Sequence, residues 1–290
     1  MPMNDSQFTP QLTEDGSYTF FSEEFQETFH SSFGAKQEAE VRYIKPCLLE
    51  QLASQRSTIR ILDVCYGLGY NSAAALEAIW SVNPQCHIEL ICLEINATVP
   101  QQAVKHRLLN DWHKPIPSIL AELLNKSIVF QQYINAKLIL GDARLTARSL
   151  VEQNWQADAI FLDPFSPRKC PQLWTVDFIA LLAQCLDKCG RLATYSASAA
   201  VRAALLESGL QIGSISGAGR KSPGTIAAYE YKQLPALSIM EREHLQTRAA
   251  TPYRDRLLQS SAREIIDNRL REQLHSDLDS TSQWRKRWLK

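Results

Sequence analysis

The chain has 290 residues, 45% of them hydrophobic, which suits one large domain with decoration around a substantial core. Lys+Arg and Asp+Glu both number 31, so no overall field draws it to nucleic acid or anionic lipid, and any such contact must come from a local patch. The N-terminus lacks a basic-then-apolar signal pattern, and no window approaches the roughly 20 apolar residues of a membrane span, so a soluble, cytoplasmic protein is expected.

Seven cysteines, at positions 47, 65, 86, 92, 170, 185 and 189, form neither C-x-x-C pairs nor zinc-spaced sets with histidine. They read as reduced thiols, with no metal site. Residues 1–57 read as an N-terminal extension in which "FGAKQEAEVRYIKPCLLEQL" is largely helical and Pro46 is a point of interruption.

From residue 58 onward, short β-branched runs alternate with helical patterns, the habit of βαβ units and a parallel sheet. "IRILDVC" leads to the helix "NSAAALEAIW", "HIELICLE" to "ATVPQQAVKHRLLN", and "AKLILGD" to "RLTARSLVE"; "ADAIFLD" and "GRLATYS" follow. An insertion at 111–135 contains Pro115 and Pro117 and ends in a candidate hairpin feeding the third strand. "GLQIGSISG" and "GTIAAYEYK" read as an antiparallel pair at one edge. About seven strands are expected in a core spanning 58–235, followed by a polar, helical tail at 236–290. There is no internal repeat.

Ligands of an open parallel sheet bind beyond the carboxyl ends of its strands, and polar residues gather there: Asp63, Glu94, Asp142 and Asp163. "DVCYGLGYN" follows the first strand. It does not fit the G-x-G-x-x-G spacing that brings a backbone close to a pyrophosphate, and Cys65 stands where D-x-G-x-G-x-G has its first glycine. A sulfonium cofactor has no phosphate and needs only a glycine-lined turn and an acid for the ribose. Gly67, Gly69 and Glu94, 25 residues past Gly69, supply those, which favours S-adenosylmethionine over a nicotinamide dinucleotide. The competing reading is a tight strand-to-helix turn without ligand, with Asp142 only capping a helix and Cys65 a small buried residue.

"DAIFLDPFSPRKCPQLWT" brings an acid, a proline and an aromatic off an apolar strand together. Asp163 and the Pro164 carbonyl can accept the N–H bonds of an amine and aim its lone pair at a methyl group, while Phe165 stacks on a ring. The segment resembles the (D/N)-P-P-(Y/F) loop of amino-group methyltransferases, with Phe165 in place of the second proline. A plain turn with Phe165 in the core is the alternative.

Taken together, the segments resemble the methyltransferase domain of MnmC-type tRNA modification enzymes. "FHSSFGAKQEAE", "DVCYGLGYN", "FLDPFSPRKCPQLWT", "GRLATYSASAAVRAALLESGL" and "GAGRKSPGT" follow the family's order across most of 17–231, although Cys189 replaces the first of two glycines. The resemblance implies a Rossmann-like class I fold, a mostly parallel sheet with helices on both faces, and S-adenosylmethionine as cofactor. It implies methylation of the aminomethyl group of the tRNA wobble (2-thio)uridine. It carries the catalytic role to Asp163, and with Pro164 and Phe165 from the reading of the loop above this makes the candidate catalytic set. At the cofactor it implies Gly67, Gly69, Asn71, Glu94 and Asp142, with Ser31 and Glu38 from the N-terminal segment; Asp63, Cys65, Ala143 and Asp163 join them as candidates by their place at the strand ends and turns.

The chain ends at Lys290 with no second dinucleotide fingerprint, so it resembles the stand-alone form, whose substrate would come from a separate aminomethylating system. For the tRNA anticodon region, Phe165, Arg168, Lys169, Trp174, Arg220 and Lys221 are the candidate contacts. For Trp174, a core position competes with base stacking. "RKRW" at 285–288 reads as a basic terminus of a kind more often disordered than bound to RNA. Two other functions fit the same fold: transfer to a small amine, in the manner of spermidine synthases, and RNA binding without turnover.

Overall fold

The computed structural model describes residues 8–215, 223–231 and 233–288. Two small hairpins come first, β1 (Gln11–Leu12) with β2 (Tyr18–Thr19) and β3 (Phe21–Ser22) with β4 (Glu27–Thr28). Helix α1 (Ala35–Ala39) runs into a π-helical turn (Glu40–Ile44), and α2 (Leu49–Gln55) restarts after the break at Pro46. Pro46 lacks the N–H that would continue the helical ladder, so the interruption falls where expected.

The main sheet alternates strands and helices along the chain. In order come β5 (Thr58–Val64), α3 (Tyr70–Val82), β6 (His87–Glu94), α4 (Thr98–Lys105), α5 (Ile116–Lys126), β7 (Ile128–Gln131), β8 (Ile134–Leu140) and α6 (Ala143–Glu152). After these come β9 (Ala157–Leu162), α7 (Val176–Gln184), β10 (Leu186–Thr194), α8 (Ala199–Glu207), β11 (Gln211–Ile215) and β12 (Gly224–Ala228). Strand order across the sheet is β11-β12-β10-β9-β5-β6-β8-β7. The five central strands are parallel. The expected mostly parallel α/β sheet is therefore present, and β11 and β12 form the antiparallel edge.

The sheet has eight strands rather than about seven, because the hairpin before the third parallel strand pairs fully and β7 closes the opposite edge. Neighbouring residues of β5 serve opposite faces. Ile59 and Ile61 join the core under the N-terminal helices and α3–α5, whereas Leu62 and Val64 join the core under α6–α8. Such two-sided burial explains why the central strands read as continuous apolar runs.

The chain from Ser238 onward builds three helices, α9 (Ile239–His244), α10 (Ala262–Leu274) and α11 (Thr281–Trp288), the first two started by serine–glutamate capping boxes. It is anchored through charge. Arg202 of α8 bonds Glu241 at 2.7 Å, both side chains being nearly enclosed, and Glu241 also accepts from Ser214. At the "RKRW" terminus Arg285–Trp288 is helical, and both Arg287 and the Trp288 indole N–H engage Glu243. Among the described residues, no helix is long and apolar enough to cross a membrane.

Candidate active site

The chain leaves β5 toward β6 and β8 on one side, then returns to place β9 on the other side of β5. This is the topological switch of the sheet, where the loops after two adjacent parallel strands part and leave a crevice. Asp163 N–H bonds the Val64 carbonyl at 3.2 Å, so the two loops of interest begin side by side. A cleft of about 1100 Å³ opens above them.

The turn after β5 is shaped by left-handed backbone at three positions: Cys65 (φ 70°), Gly67 (φ 55°) and Gly69 (φ 85°). Cys65 thus adopts the conformation for which glycine is the usual residue, and its side chain makes this a strained site. Gly69 is constrained twice, since a Cβ there would sit 2.5 Å from the Tyr66 hydroxyl. The turn delivers α3 end-on to the cleft, and Ala73–Ala75 let that helix lie close against the sheet.

Gly67 N–H donates to Glu94 Oε2 at 2.9 Å and Ile95 N–H to Oε1 at 2.8 Å, so the carboxylate at the end of β6 is fixed by backbone donors. Burial nevertheless raises the Glu94 pKa. At the end of β8, Asp142 caps α6 through Arg144 N–H and is gripped by the Arg144 guanidinium at 2.7–3.1 Å, which holds its pKa below the ordinary range despite partial burial. Arg144 in turn donates to the enclosed Asp255 carboxylate and to the Ser260 carbonyl. The C-terminal segment therefore braces an acid on the cleft wall.

On the β9 side, Asn71 Nδ2 donates to Asp163 Oδ2 at 2.8 Å. The Tyr43 hydroxyl lies near the same carboxyl, and Glu38 sits close by, held by the backbone and hydroxyl of Ser31 at 3.1 Å each. Burial first, with like charge from Glu38, pushes Asp163 up to about 8, while Tyr43 and Asn71 oppose that rise. Tyr195 Oη donates to the Pro164 carbonyl at 2.9 Å, and Trp174 Nε1 donates to the Phe165 carbonyl at 2.8 Å. A carbonyl has two lone pairs, so Pro164 keeps one for a substrate N–H.

Of the residues assigned from sequence, Glu38, Cys65, Gly67, Glu94, Asp142, Ala143, Asp163, Pro164, Phe165 and Lys169 line this one cleft. Ser31, Gly69 and Asn71 stand behind it and hold its wall. Two assignments are corrected. Asp63 is wholly enclosed outside the cleft lining, where Oδ2 accepts from Ser72 Oγ at 2.6 Å and fastens α3 to β5, Oδ1 is left without a partner, and burial pushes its pKa up to about 7. Trp174 is 0% exposed, its ring packed in the core and its N–H spent on Phe165, so it cannot stack on a base.

Arg168 is exposed outside the cleft lining, and Arg220 and Lys221 lie outside the described residues. Sequence reading missed Tyr43, Tyr195, Arg144 and the hairpin residues Phe25, Glu27 and Phe29. The last three sit in "FFSEEFQETF", whose density of aromatics between acids was the available signal.

A family model described as S-adenosyl-L-methionine-dependent methyltransferase matches residues 100–230. The structure is similar to that of MnmC2 from Aquifex aeolicus, with 34% identity, a TM-score of 0.81, and coverage of 95% of this chain and 87% of that one. The chain belongs to the MnmC methyltransferase family.

An uncharacterized protein of Methanocaldococcus jannaschii is 31% identical over 89% of this chain and 70% of its own length. The tRNA 5-methylaminomethyl-2-thiouridine biosynthesis bifunctional protein MnmC of Ralstonia nicotianae is 30% identical over 76% of this chain. This chain matches only 34% of that relative's length. As a member of the family, it is a class I methyltransferase that uses S-adenosylmethionine. The cleft fits that cofactor in its chemistry: Gly67 lines it without a side chain, and the Glu94 and Asp142 carboxyls on the same wall suit a cation.

Proposed function

We propose that the protein methylates the aminomethyl nitrogen of a tRNA wobble (2-thio)uridine. The supporting observation is the Asp163–Pro164–Phe165 loop, fixed by Asn71, Tyr195 and Trp174, facing the Gly67–Glu94 turn across one cleft. Gly67, Glu94, Asp142 and Ala143 would hold the cofactor, which supplies an electrophilic methyl group on a positive sulfur.

The chain's own residues do the rest. The second oxygen of Asp163 and the free lone pair of the Pro164 carbonyl accept N–H bonds from the neutral amine, turning its lone pair toward the methyl carbon. The N–C bond forms as the S–C bond breaks, and the sulfur keeps that electron pair. The proton shed by the new ammonium passes to Asp163, which gives up its resting proton when a positive sulfur centre binds beside it and is then free to accept this one. Phe165 supports the acceptor ring, and Lys169 on the rim offers a contact for an anticodon phosphate.

Labelled S-adenosylmethionine offered with bulk tRNA or with polyamines tests this reading. We expect label in tRNA from cells lacking the protein and none in polyamines. Label in polyamines alone would reverse the assignment.

A further inference from the structure

The rim of the cleft carries a pair of rings that neither core uses. At the tip of the β3–β4 hairpin, Phe25 lies flat on Phe165, with centroids 4.2 Å apart and planes within 13°. Neither ring belongs to either hydrophobic core, and both remain half-buried. Phe29 meets Phe165 edge-on at 5.0 Å and also reaches the cofactor turn, where a Cβ on Gly67 would lie 3.6 Å from its ring.

The hairpin is also tied by polar bonds to the loop that carries Asp163. Ser166 Oγ donates to Glu27 Oε1 at 2.6 Å and Ser166 N–H to Oε2 at 3.2 Å. The hairpin is thus built over the acceptor half of the cleft, with one of its rings on the face of Phe165 that a planar substrate would need.

We infer that Phe25 is a substrate-positioning residue: its ring occupies the place of the acceptor base in the closed state and covers the outer face of that base after the hairpin lifts. Holding a base between two rings takes about twice the single-stack spacing, so at 4.2 Å the slot is shut. Opening it separates Glu27 from Ser166, which makes that pair the latch. This rests on the tRNA reading above, because a small flexible amine has no flat ring to place.

Steady-state methyl transfer to tRNA isolated from cells lacking the protein tests it. Phe25→Ala and Phe25→Leu are expected to raise KM for tRNA about ten-fold, the size of one lost ring stack, with KM for S-adenosylmethionine within two-fold of wild type. Phe25→Tyr keeps the ring and the wild-type value. Glu27→Ala frees the latch and lowers KM for tRNA.

Leucine fills the same apolar space, so a defect shared by alanine and leucine but not tyrosine belongs to the ring and not to folding. Wild-type KM for tRNA in the leucine variant, or an equal rise for both substrates, overturns the proposal. A higher KM in Glu27→Ala overturns the latch. If wild-type protein transfers nothing to this tRNA, the functional reading itself fails, and the proposal with it.

Discussion

The two halves of the cleft are built by different means. The proposed cofactor half is made of backbone: left-handed dihedrals at Cys65, Gly67 and Gly69, and two N–H donors that fix Glu94. The proposed acceptor half is made largely of side chains brought from other segments: Asn71 on Asp163, Tyr195 on Pro164, and the hairpin rings above them. A half built from consecutive backbone tolerates few substitutions within a short stretch, whereas a half built from distant side chains spreads its dependence over the whole chain.

The sharpest way to separate the halves is at Asp163. Asp163→Asn is expected to lower kcat for methyl transfer by about 10²- to 10³-fold through loss of the proton acceptor and the oriented amine. Cofactor affinity by calorimetry should fall far less than turnover. A variant that loses cofactor binding and turnover together would mean that the halves are one unit.

The same residue carries a proton signature. With a pKa of about 8, Asp163 is mostly protonated at neutral pH. Its proton-linked stability is full below the unfolded value of 3.8 and is lost as pH rises through about 8. Binding of the cationic S-adenosylmethionine at pH 7 should therefore release protons, seen by calorimetry in buffers of different ionisation enthalpy. The neutral product S-adenosylhomocysteine should release fewer. Equal release in wild type and Asp163→Asn would refute the assignment of the proton to Asp163.

The cofactor half should respond with opposite signs at two positions. Gly69→Ala adds a Cβ at φ 85° against the Tyr66 hydroxyl, and we expect a loss of about 1–3 kcal/mol in chemical denaturation. Cys65→Gly relieves a left-handed non-glycine residue, and a gain of up to about 1 kcal/mol is expected. Destabilisation by both substitutions would show that packing of the Cys65 side chain outweighs its backbone strain.

This difference in construction also explains what was legible in the sequence. The parallel strands, the glycine turn, Glu94 and the D-P-F-S-P loop are local patterns, so they could be read directly. Cys65 marked the turn as unusual, and its positive φ gives the reason that glycine is the expected residue there. Asn71 and Asp163 were both assigned, but their bond spans 92 positions and appears only once β5 and β9 are neighbours. The same holds for Arg144, whose acidic partner Asp255 lies 111 positions away in the tail. Trp174 was misassigned to substrate because an aromatic beside a reactive loop looks the same in sequence whether its ring faces in or out.

The most direct measurement is mass spectrometry of wobble nucleosides in tRNA from cells with and without the protein. Loss of the methylaminomethyl nucleoside with accumulation of the aminomethyl form, reversed by wild type but not by Asp163→Asn, is the expected result. An unchanged nucleoside profile would contradict it.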